Sequence, residues 1–187
     1  MKNYRFWFSL FLITVFTSTN YSNAAVKLPA VFGSNMVLQQ QTDAPVWGTA
    51  EPGKTVKIIT SWNNQRYSAK TGDDGNWKTS VATPEAGGPY KISISDGEEI
   101  TLENVLIGEV WVCSGQSNMQ MPMKGYRNQP VFGANEDIAT SHNENIRLLT
   151  VDRNKTLEPL DDFAGEWKEC VPGNVVDFSA TAYYFGR

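Results

Sequence analysis

The stretch from Val105 to Met119 constrains the fold of this chain more than any other. Its first part, Val105–Cys113, is almost entirely apolar and rich in β-branched residues, which is typical of a buried parallel strand. A small polar turn containing a glycine follows at Ser114–Asn118. α/β hydrolytic enzymes place a nucleophilic serine at this point, after a strand and before a helix, where backbone N–H groups face a developing oxyanion. An ordinary surface turn is the alternative interpretation of this stretch taken alone.

Residues 1–24 have the pattern of a secretory signal peptide. Lys2 and Arg5 precede an apolar run of eleven residues, Phe6–Phe16, and small polar residues lead to Ala24. The run is shorter than the roughly 20 residues that span a bilayer. We therefore expect cleavage after Ala24 or Ala25 and export to the periplasm or the extracellular space, with an uncleaved N-terminal anchor as the alternative.

Charge and cysteine content limit the partners of the exported chain. Removal of residues 1–24 leaves fourteen basic residues against twenty acidic ones, a net charge of −6. Nucleic acid and anionic membranes both bind clustered Lys and Arg, so neither is expected as a partner. Cys113 and Cys170 lack CxxC spacing and ligand-like neighbours, so no metal site is predicted. Export permits a disulfide between them, but packing of Cys113 in its strand is equally open.

The segment 25–104 predicts a small antiparallel β-sandwich. Short alternating segments follow one another with turn residues between them, as at the predicted hairpin loop Thr71–Asn76, and no helical periodicity is present. The tryptophans of this region, Trp47, Trp62 and Trp77, are expected to fill its core. Stacking on sugar rings is the alternative role for them.

The segment 105–187 has the pattern of the beginning of an α/β domain. Beyond the serine turn, the predicted elements are a helix over Pro130–Ala139, strands over Ile146–Val151 and Trp167–Cys170, and a helix capped by Asp177. Two or three strands do not complete such a sheet, and the last helix has no C-terminal cap. We therefore expect a chain that is cut off within this domain.

Several stretches of the chain match one family together. The most specific match is Gly108–Met119, and the others are Leu28–Gln39, Pro45–Gly48, Gly75–Trp77, Ala86–Tyr90, Asn145–Leu148, Trp167 with Cys170, and Phe178–Arg187. These stretches resemble the sialate O-acetylesterase family, a branch of the SGNH hydrolases. The resemblance covers nearly all of the chain after residue 24 but only the first part of a family member. It implies a β-sandwich domain followed by the incomplete start of a three-layer α/β SGNH-hydrolase domain.

The same resemblance implies an esterase that removes O-acetyl groups from sialic acids without a metal or organic cofactor. Ser117, not Ser114, would attack the acetyl carbonyl and form an acyl-enzyme. The N–H of Ser117 would donate to the oxyanion, and Gln116 and Asn118 would orient the turn or the substrate. The family's base lies in an Asp-x-x-His block that is absent here, and His142 is expected to be a solvated loop residue. Little or no activity is expected from this chain alone.

Two other functions stay open at this stage. An acetylxylan esterase or another polysaccharide acetylesterase shares the serine block, and nothing in these residues separates the sugars. A non-catalytic carbohydrate-binding or structural β-sandwich fragment is an alternative of another class. For the sandwich itself, a role as a support for the catalytic domain is favoured over sugar binding.

Overall fold

The computed structural model describes residues 25–187, so the predicted signal peptide over residues 1–24 lies outside the described residues. Nine strands, three short α-helices and one 3₁₀ turn are present in the described part. The strands are β1 (Val37–Gln39), β2 (Asp43–Thr49), β3 (Thr55–Thr60), β4 (Arg66–Lys70), β5 (Asn76–Ala82), β6 (Gly87–Ser95), β7 (Glu99–Gly108), β8 (Asn143–Leu149) and β9 (Trp167–Cys170). The helices are α1 (Ala134–Ala139), α2 (Pro172–Val175) and α3 (Ala180–Gly186). None of the helices described over 25–187 has the length and apolar character needed to cross a membrane.

The first seven strands form two sheets that share one hydrophobic core. The larger sheet has the order β1-β7-β6-β3-β4, and the smaller pairs β2 with β5. Side chains alternate between buried and exposed along β3, since successive side chains point to opposite faces of a strand. The shared core contains Val46 and Val81 from the smaller sheet and Ile58, Ile92 and Ile94 from the larger. The predicted succession of short strands is confirmed, but the larger sheet is mixed and not purely antiparallel, because β1 runs parallel to β7.

Strand β7 corrects the predicted extent of the strand over Val105–Cys113. Its last residues pair with β1 on one side and β6 on the other, and the parallel ladder to β1 ends at Gly108. Beyond that residue β1 offers no further partner, so the chain leaves the sheet, and Trp111 and Val112 are 65% and 91% exposed. The expected boundary between residues 104 and 105 lies inside β7. The division into two domains stays a prediction.

The remaining elements surround a second, smaller core. Strands β8 and β9 form an antiparallel pair, and α2 and α3 follow them along the chain. The buried side chains of this core are Met123, Ala134, Leu148, Cys170, Val175, Ala180 and Tyr183. The thiols of Cys113 and Cys170 are unpaired in the structure: the first is exposed and the second is buried. The predicted packing of Cys113 in a buried strand is therefore wrong.

The boundaries of three predicted elements change. The helix predicted over Pro130–Ala139 begins only at Ala134, because Gly133 adopts a left-handed φ of 73° before it. The strand predicted over Ile146–Val151 is β8, which begins and ends earlier and pairs antiparallel with β9. Helix α3 is capped by Ser179, whose side chain accepts a hydrogen bond from the Ala182 N–H. Asp177, the predicted cap, instead forms an ion pair with Lys124.

A hydrogen-bonded network joins the larger sheet to the pair β8–β9. The Asn104 side-chain amide donates to Asn35 Oδ1 at 2.8 Å and to Glu169 Oε1 at 2.9 Å. Its own oxygen accepts from Arg147 Nη2 at 3.1 Å. Trp167 adds a further contact by donating from its indole N–H to the Val31 carbonyl at 2.8 Å. The two parts of the chain therefore meet through a continuous polar contact.

Candidate active site

A hydrogen-bonded clamp holds the segment that carries the serines where it leaves β7. The carboxylate of Glu109 accepts from Gln40 Nε2 at 2.7 Å and from Gln39 Nε2 at 3.0 Å. These bonds, that of Gln40 first, lower the pKa of Glu109. Gln39 also accepts the backbone N–H of Val110 at 3.0 Å. The exposed segment 110–113 therefore starts from a fixed point on the larger sheet.

Ser117 is the first residue of a 3₁₀ turn over Ser117–Gln120. The N–H of Met119 donates to the Gln116 carbonyl at 2.9 Å and closes the turn. Gly115 makes room for Met119, since a Cβ on Gly115 would lie 2.6 Å from Met119 Cγ and would displace that side chain. The predicted sharp polar turn is present, but it leads into this single 3₁₀ turn and not into an α-helix.

The predicted site residues are exposed on this turn. Ser117, Gln116 and Asn118 are all solvent-accessible. Among residues 25–187, neither the hydroxyl nor the N–H of Ser117 has a hydrogen-bond partner, and the side chains of Gln116 and Asn118 have none. The turn therefore presents an unbonded serine hydroxyl and an unbonded N–H donor on the same residue, an arrangement that is compatible with an oxyanion site.

The beginning of α3 holds the serine turn from its other side. Thr181 Oγ1 donates to the Asn118 carbonyl at 3.1 Å. The Ala180 N–H donates to the Met121 carbonyl at 2.8 Å. Two points on the chain around the turn, Asn118 and Met121, are thus tied to the first residues of one helix.

An open apolar hollow of about 270 Å³ adjoins the turn. Its walls come from the exposed segment after β7, from the serine turn and from α3: Trp111, Val112, Cys113, Ser114, Met119, Thr181, Ala182 and Phe185. Trp111 and Phe185 meet edge to face, with ring centroids 5.2 Å apart. Ser114 faces this hollow, whereas Ser117 is not among its lining residues.

No side chain of the described residues stands beside Ser117 as a base. His142 is the one histidine of the chain. It lies just before β8, its side chain is 67% exposed, and its Nε2 is 3.9 Å from Glu144 Oε1. It makes no hydrogen bond to Ser117, which agrees with the expected solvated loop residue. Between residues 25 and 187, no three His, Cys, Asp or Glu side chains are grouped so that they could hold a metal ion.

The three tryptophans of the predicted sandwich are engaged in packing. Trp77 is 3% exposed and is therefore not available to a sugar. Trp47 packs edge-on against Phe32, with ring centroids 4.7 Å apart. Trp62 donates its indole N–H to the Ala82 carbonyl at 3.0 Å. The core role expected for these residues is supported.

The known proteins reported as similar to this chain are all acetylesterases by name. No protein-family model matches the chain. The sialate O-acetylesterase of Mus musculus is 25% identical over 96% of this chain and 36% of its own length. That of Rattus norvegicus is 29% identical over 81% of this chain and 31% of its own length. The resemblance to the sialate O-acetylesterase family is confirmed. This chain therefore spans about a third of the length of these two relatives.

The fold agrees with a solved relative of similar chemistry. The crystal structure of a carbohydrate acetylesterase from Xanthomonas citri superposes with a TM-score of 0.79 at 29% identity. The match covers 86% of this chain and 36% of that protein. The mixed sheet with few helices is therefore an arrangement that this acetylesterase shares.

Two contributors to the site have no signal in the sequence. The residues around Thr181 in the sequence indicate only a helix. The hydrogen bond from Thr181 to Asn118 joins residues 63 positions apart. The clamp at Glu109 depends on glutamines about 70 positions earlier. Gln39 and Thr181 do lie in the matching stretches Leu28–Gln39 and Phe178–Arg187, whereas Gln40 lies just outside them.

Proposed function

We propose that this chain supplies the nucleophile of a carbohydrate O-acetylesterase, and that O-acetylated sialic acid is its substrate. The observation that carries the proposal is Ser117, whose hydroxyl and N–H are both exposed and unbonded on a tight turn. The relatives' names, sialate O-acetylesterase and carbohydrate acetylesterase, support the reaction class. Gln116 and Asn118 flank the nucleophile and are proposed to contact the sugar or the ester.

In the proposed reaction, the Ser117 hydroxyl oxygen attacks the acetyl carbonyl. Its proton passes to a base and then to the departing sugar oxygen, as the ester C–O bond breaks and an acetyl-serine forms. Water then hydrolyses that ester by the reverse use of the same base. The N–H of Ser117 donates to the oxyanion in both steps, a contribution of about 3 kcal/mol for one well-placed donor. None of these steps calls for a metal or an organic cofactor.

The base is proposed to come from outside this chain. His142 is exposed and makes no hydrogen bond to Ser117, and the chain spans about a third of the length of its relatives. A nucleophile and oxyanion donor without a base leave a residual rate of about 10³–10⁴ over the uncatalysed reaction at best. We therefore expect weak acetyl transfer from the 187-residue chain alone.

The proposal is tested by locating the acetyl group after reaction with 4-nitrophenyl acetate. Added imidazole takes the place of the missing base, and peptide mass spectrometry identifies the acetylated residue. We expect an acetyl adduct on Ser117 in the unchanged chain and its loss in Ser117→Ala. Ser114→Ala is the matched control, because Ser114 is an exposed serine of the same turn region, and it should keep the adduct. An adduct on Ser114 in place of Ser117 would refute the assignment.

The sugar, the domain organisation and the location are parts of the same proposal. Sialic acid is preferred over acetylated xylan because the curated relatives are sialate O-acetylesterases. Acetate release from 9-O-acetylated sialic acid compared with acetylated xylan separates the two. The two sheets over one core support a β-sandwich followed by part of a three-layer SGNH-type domain. The N-terminal pattern of residues 1–24 supports export to the periplasm or the extracellular space.

A further inference from the structure

We propose that Thr181 is a positioning residue that holds the serine turn in the conformation needed for acetyl transfer. The inference rests on the proposed role of Ser117 and concerns a residue that does not itself react. Thr181 Oγ1 donates to the Asn118 carbonyl at 3.1 Å. Because Asn118 directly follows Ser117, this bond acts on the turn one residue from the nucleophile.

The place of Thr181 in its helix leaves its hydroxyl free to bond outside that helix. Thr181 is the second residue of α3, so no earlier turn of α3 offers its hydroxyl a carbonyl. A threonine later in a helix can bond a carbonyl of the preceding turn, as Thr140 at the end of α1 does with the Glu136 carbonyl at 2.9 Å. Thr181 instead reaches a carbonyl 63 positions earlier in the chain. Its hydroxyl therefore joins two segments that are far apart in sequence.

The turn has few other restraints close to Ser117. The Met119 N–H bond to Gln116 closes the turn from within. After it, the Gln120 carbonyl accepts the Tyr126 hydroxyl at 2.7 Å, and the Met121 carbonyl accepts the Ala180 N–H. Residues 110–118 are exposed and make no strand pairing. Loss of the Thr181 bond would leave the peptide groups around Ser117 without any tie to α3 before Met121. The Ser117 N–H, whose direction decides its use as an oxyanion donor, would then be less well fixed.

The test compares Thr181→Val, which keeps the shape but lacks the hydroxyl, with Thr181→Ser, which keeps the hydroxyl. The readout is the rate of acetyl adduct formation on Ser117 with 4-nitrophenyl acetate and imidazole. We expect Thr181→Val to react roughly threefold to tenfold more slowly, the effect of one lost hydrogen bond, and Thr181→Ser to recover most of the rate. The loss should be in the limiting rate and not in the ester concentration at half-saturation.

Two controls separate positioning from a loss of stability. Thr140→Val removes a threonine hydroxyl that bonds only within its own helix, and it should leave the acetylation rate unchanged. Amide hydrogen exchange over residues 114–121 should be faster in Thr181→Val than in the unchanged chain and normal in Thr181→Ser. Equal acetylation rates in Thr181→Val and the unchanged chain would overturn this inference alone. No adduct on Ser117 in the unchanged chain would overturn the proposed function itself, and this inference with it.

Discussion

At the scale of the residue, two glycines with similar backbone angles have different surroundings. Gly88 has a φ of +132° and Gly97 a φ of +143°. Residues other than glycine rarely adopt these backbone angles. A Cβ on Gly88 would lie 2.8 Å from the Val105 carbonyl oxygen and 2.9 Å from Leu106 Cδ2. A Cβ on Gly97 would have no atom within 4 Å. The first glycine is therefore required by packing as well as by conformation.

This difference predicts unequal losses of stability. Gly88→Ala and Gly97→Ala should both lower the free energy of unfolding, because both place a side chain at a positive φ. Gly88→Ala should lower it further, by about 1–3 kcal/mol, because β6 and β7 must move apart to admit the methyl group. Urea unfolding of both variants measures the difference. Equal losses would show that the close approach at Gly88 is relieved without cost.

Asp137 gives a prediction of pH dependence at the same scale. Hydrogen bonds from Arg187, the larger cause, and from Tyr184 lower the pKa of Asp137 below its ordinary value of 3.8. A carboxyl whose pKa is lower in the folded state stabilises the fold above its unfolded pKa. That stabilisation is lost as the pH falls through the folded value. Asp137 therefore contributes at neutral pH and ceases to contribute in acid.

We expect Asp137→Asn to unfold at a lower urea concentration than the unchanged chain at pH 7. The difference between them should begin to shrink below about pH 4 and disappear as the pH falls through the lowered pKa of Asp137, since the carboxyl then becomes neutral like the amide. Asp73→Asn is the control, because Asp73 is an exposed loop residue with no side-chain partner within the described range. A difference that stays constant from neutral to acid pH would contradict this account.

At the scale of the element, the network around Asn104 ties β7 to β8 and β9. Asn104 has a φ of +55° and bonds Asn35, Glu169 and Arg147. Desolvation lowers the pKa of Arg147, so this guanidinium is partly withdrawn from water and depends on its protein acceptors. Removal of the Asn104 side chain takes away one of these acceptors, the amide oxygen that Arg147 Nη2 contacts.

The substitution Asn104→Gly removes these bonds without adding backbone strain, since glycine adopts positive φ freely. We expect it to lower the free energy of unfolding by about 1–3 kcal/mol, and Asn104→Ala to lower it by about 1 kcal/mol more. Asn128→Gly is the matched control, because Asn128 has a φ of +63° and its side chain has no hydrogen bond to any residue from 25 to 187. Urea unfolding should show little change in the free energy of unfolding for Asn128→Gly. A similar loss in both glycine variants would assign the effect to the backbone and not to the network.

How far the elements could be predicted depends on where their partners lie. The alternation of β3 predicted both the strand and its buried face, because the pattern is carried by consecutive residues. The apolar run Val105–Cys113 predicted one long buried strand, yet pairing to β1 ends at Gly108, because β1 itself ends at Gln39. A strand's own residues do not reveal how long its neighbour is.

The candidate site shows the same limit. The chemistry of the segment 114–118 predicted an exposed serine in a tight turn, and the structure has one. Support for that turn comes from Thr181 and, through the chain, from Gln39 and Gln40. These contacts join positions more than sixty residues apart, and such pairs leave no local pattern.

At the scale of the whole molecule, the proposed nucleophile Ser117 is supported from two sides and has no histidine or carboxylate bonded to it among residues 25–187. The larger sheet fixes the segment before Ser117 through Glu109, and α3 fixes the segment after it. The one histidine, His142, is exposed and makes no hydrogen bond to Ser117. The chain spans about a third of its sialate O-acetylesterase relatives. We therefore propose that this chain carries the nucleophile of a catalytic pair whose base it does not supply.

The most direct test is the rate of 4-nitrophenol release from 4-nitrophenyl acetate at increasing imidazole concentration, for the unchanged chain and for Ser117→Ala. Without imidazole we expect the unchanged chain to be only slightly faster than Ser117→Ala, because Ser117 has no base. We expect this difference in rate to grow as imidazole is added. Rapid turnover without imidazole that Ser117→Ala abolishes would contradict the missing base. Equal rates at every imidazole concentration would contradict Ser117 as the nucleophile.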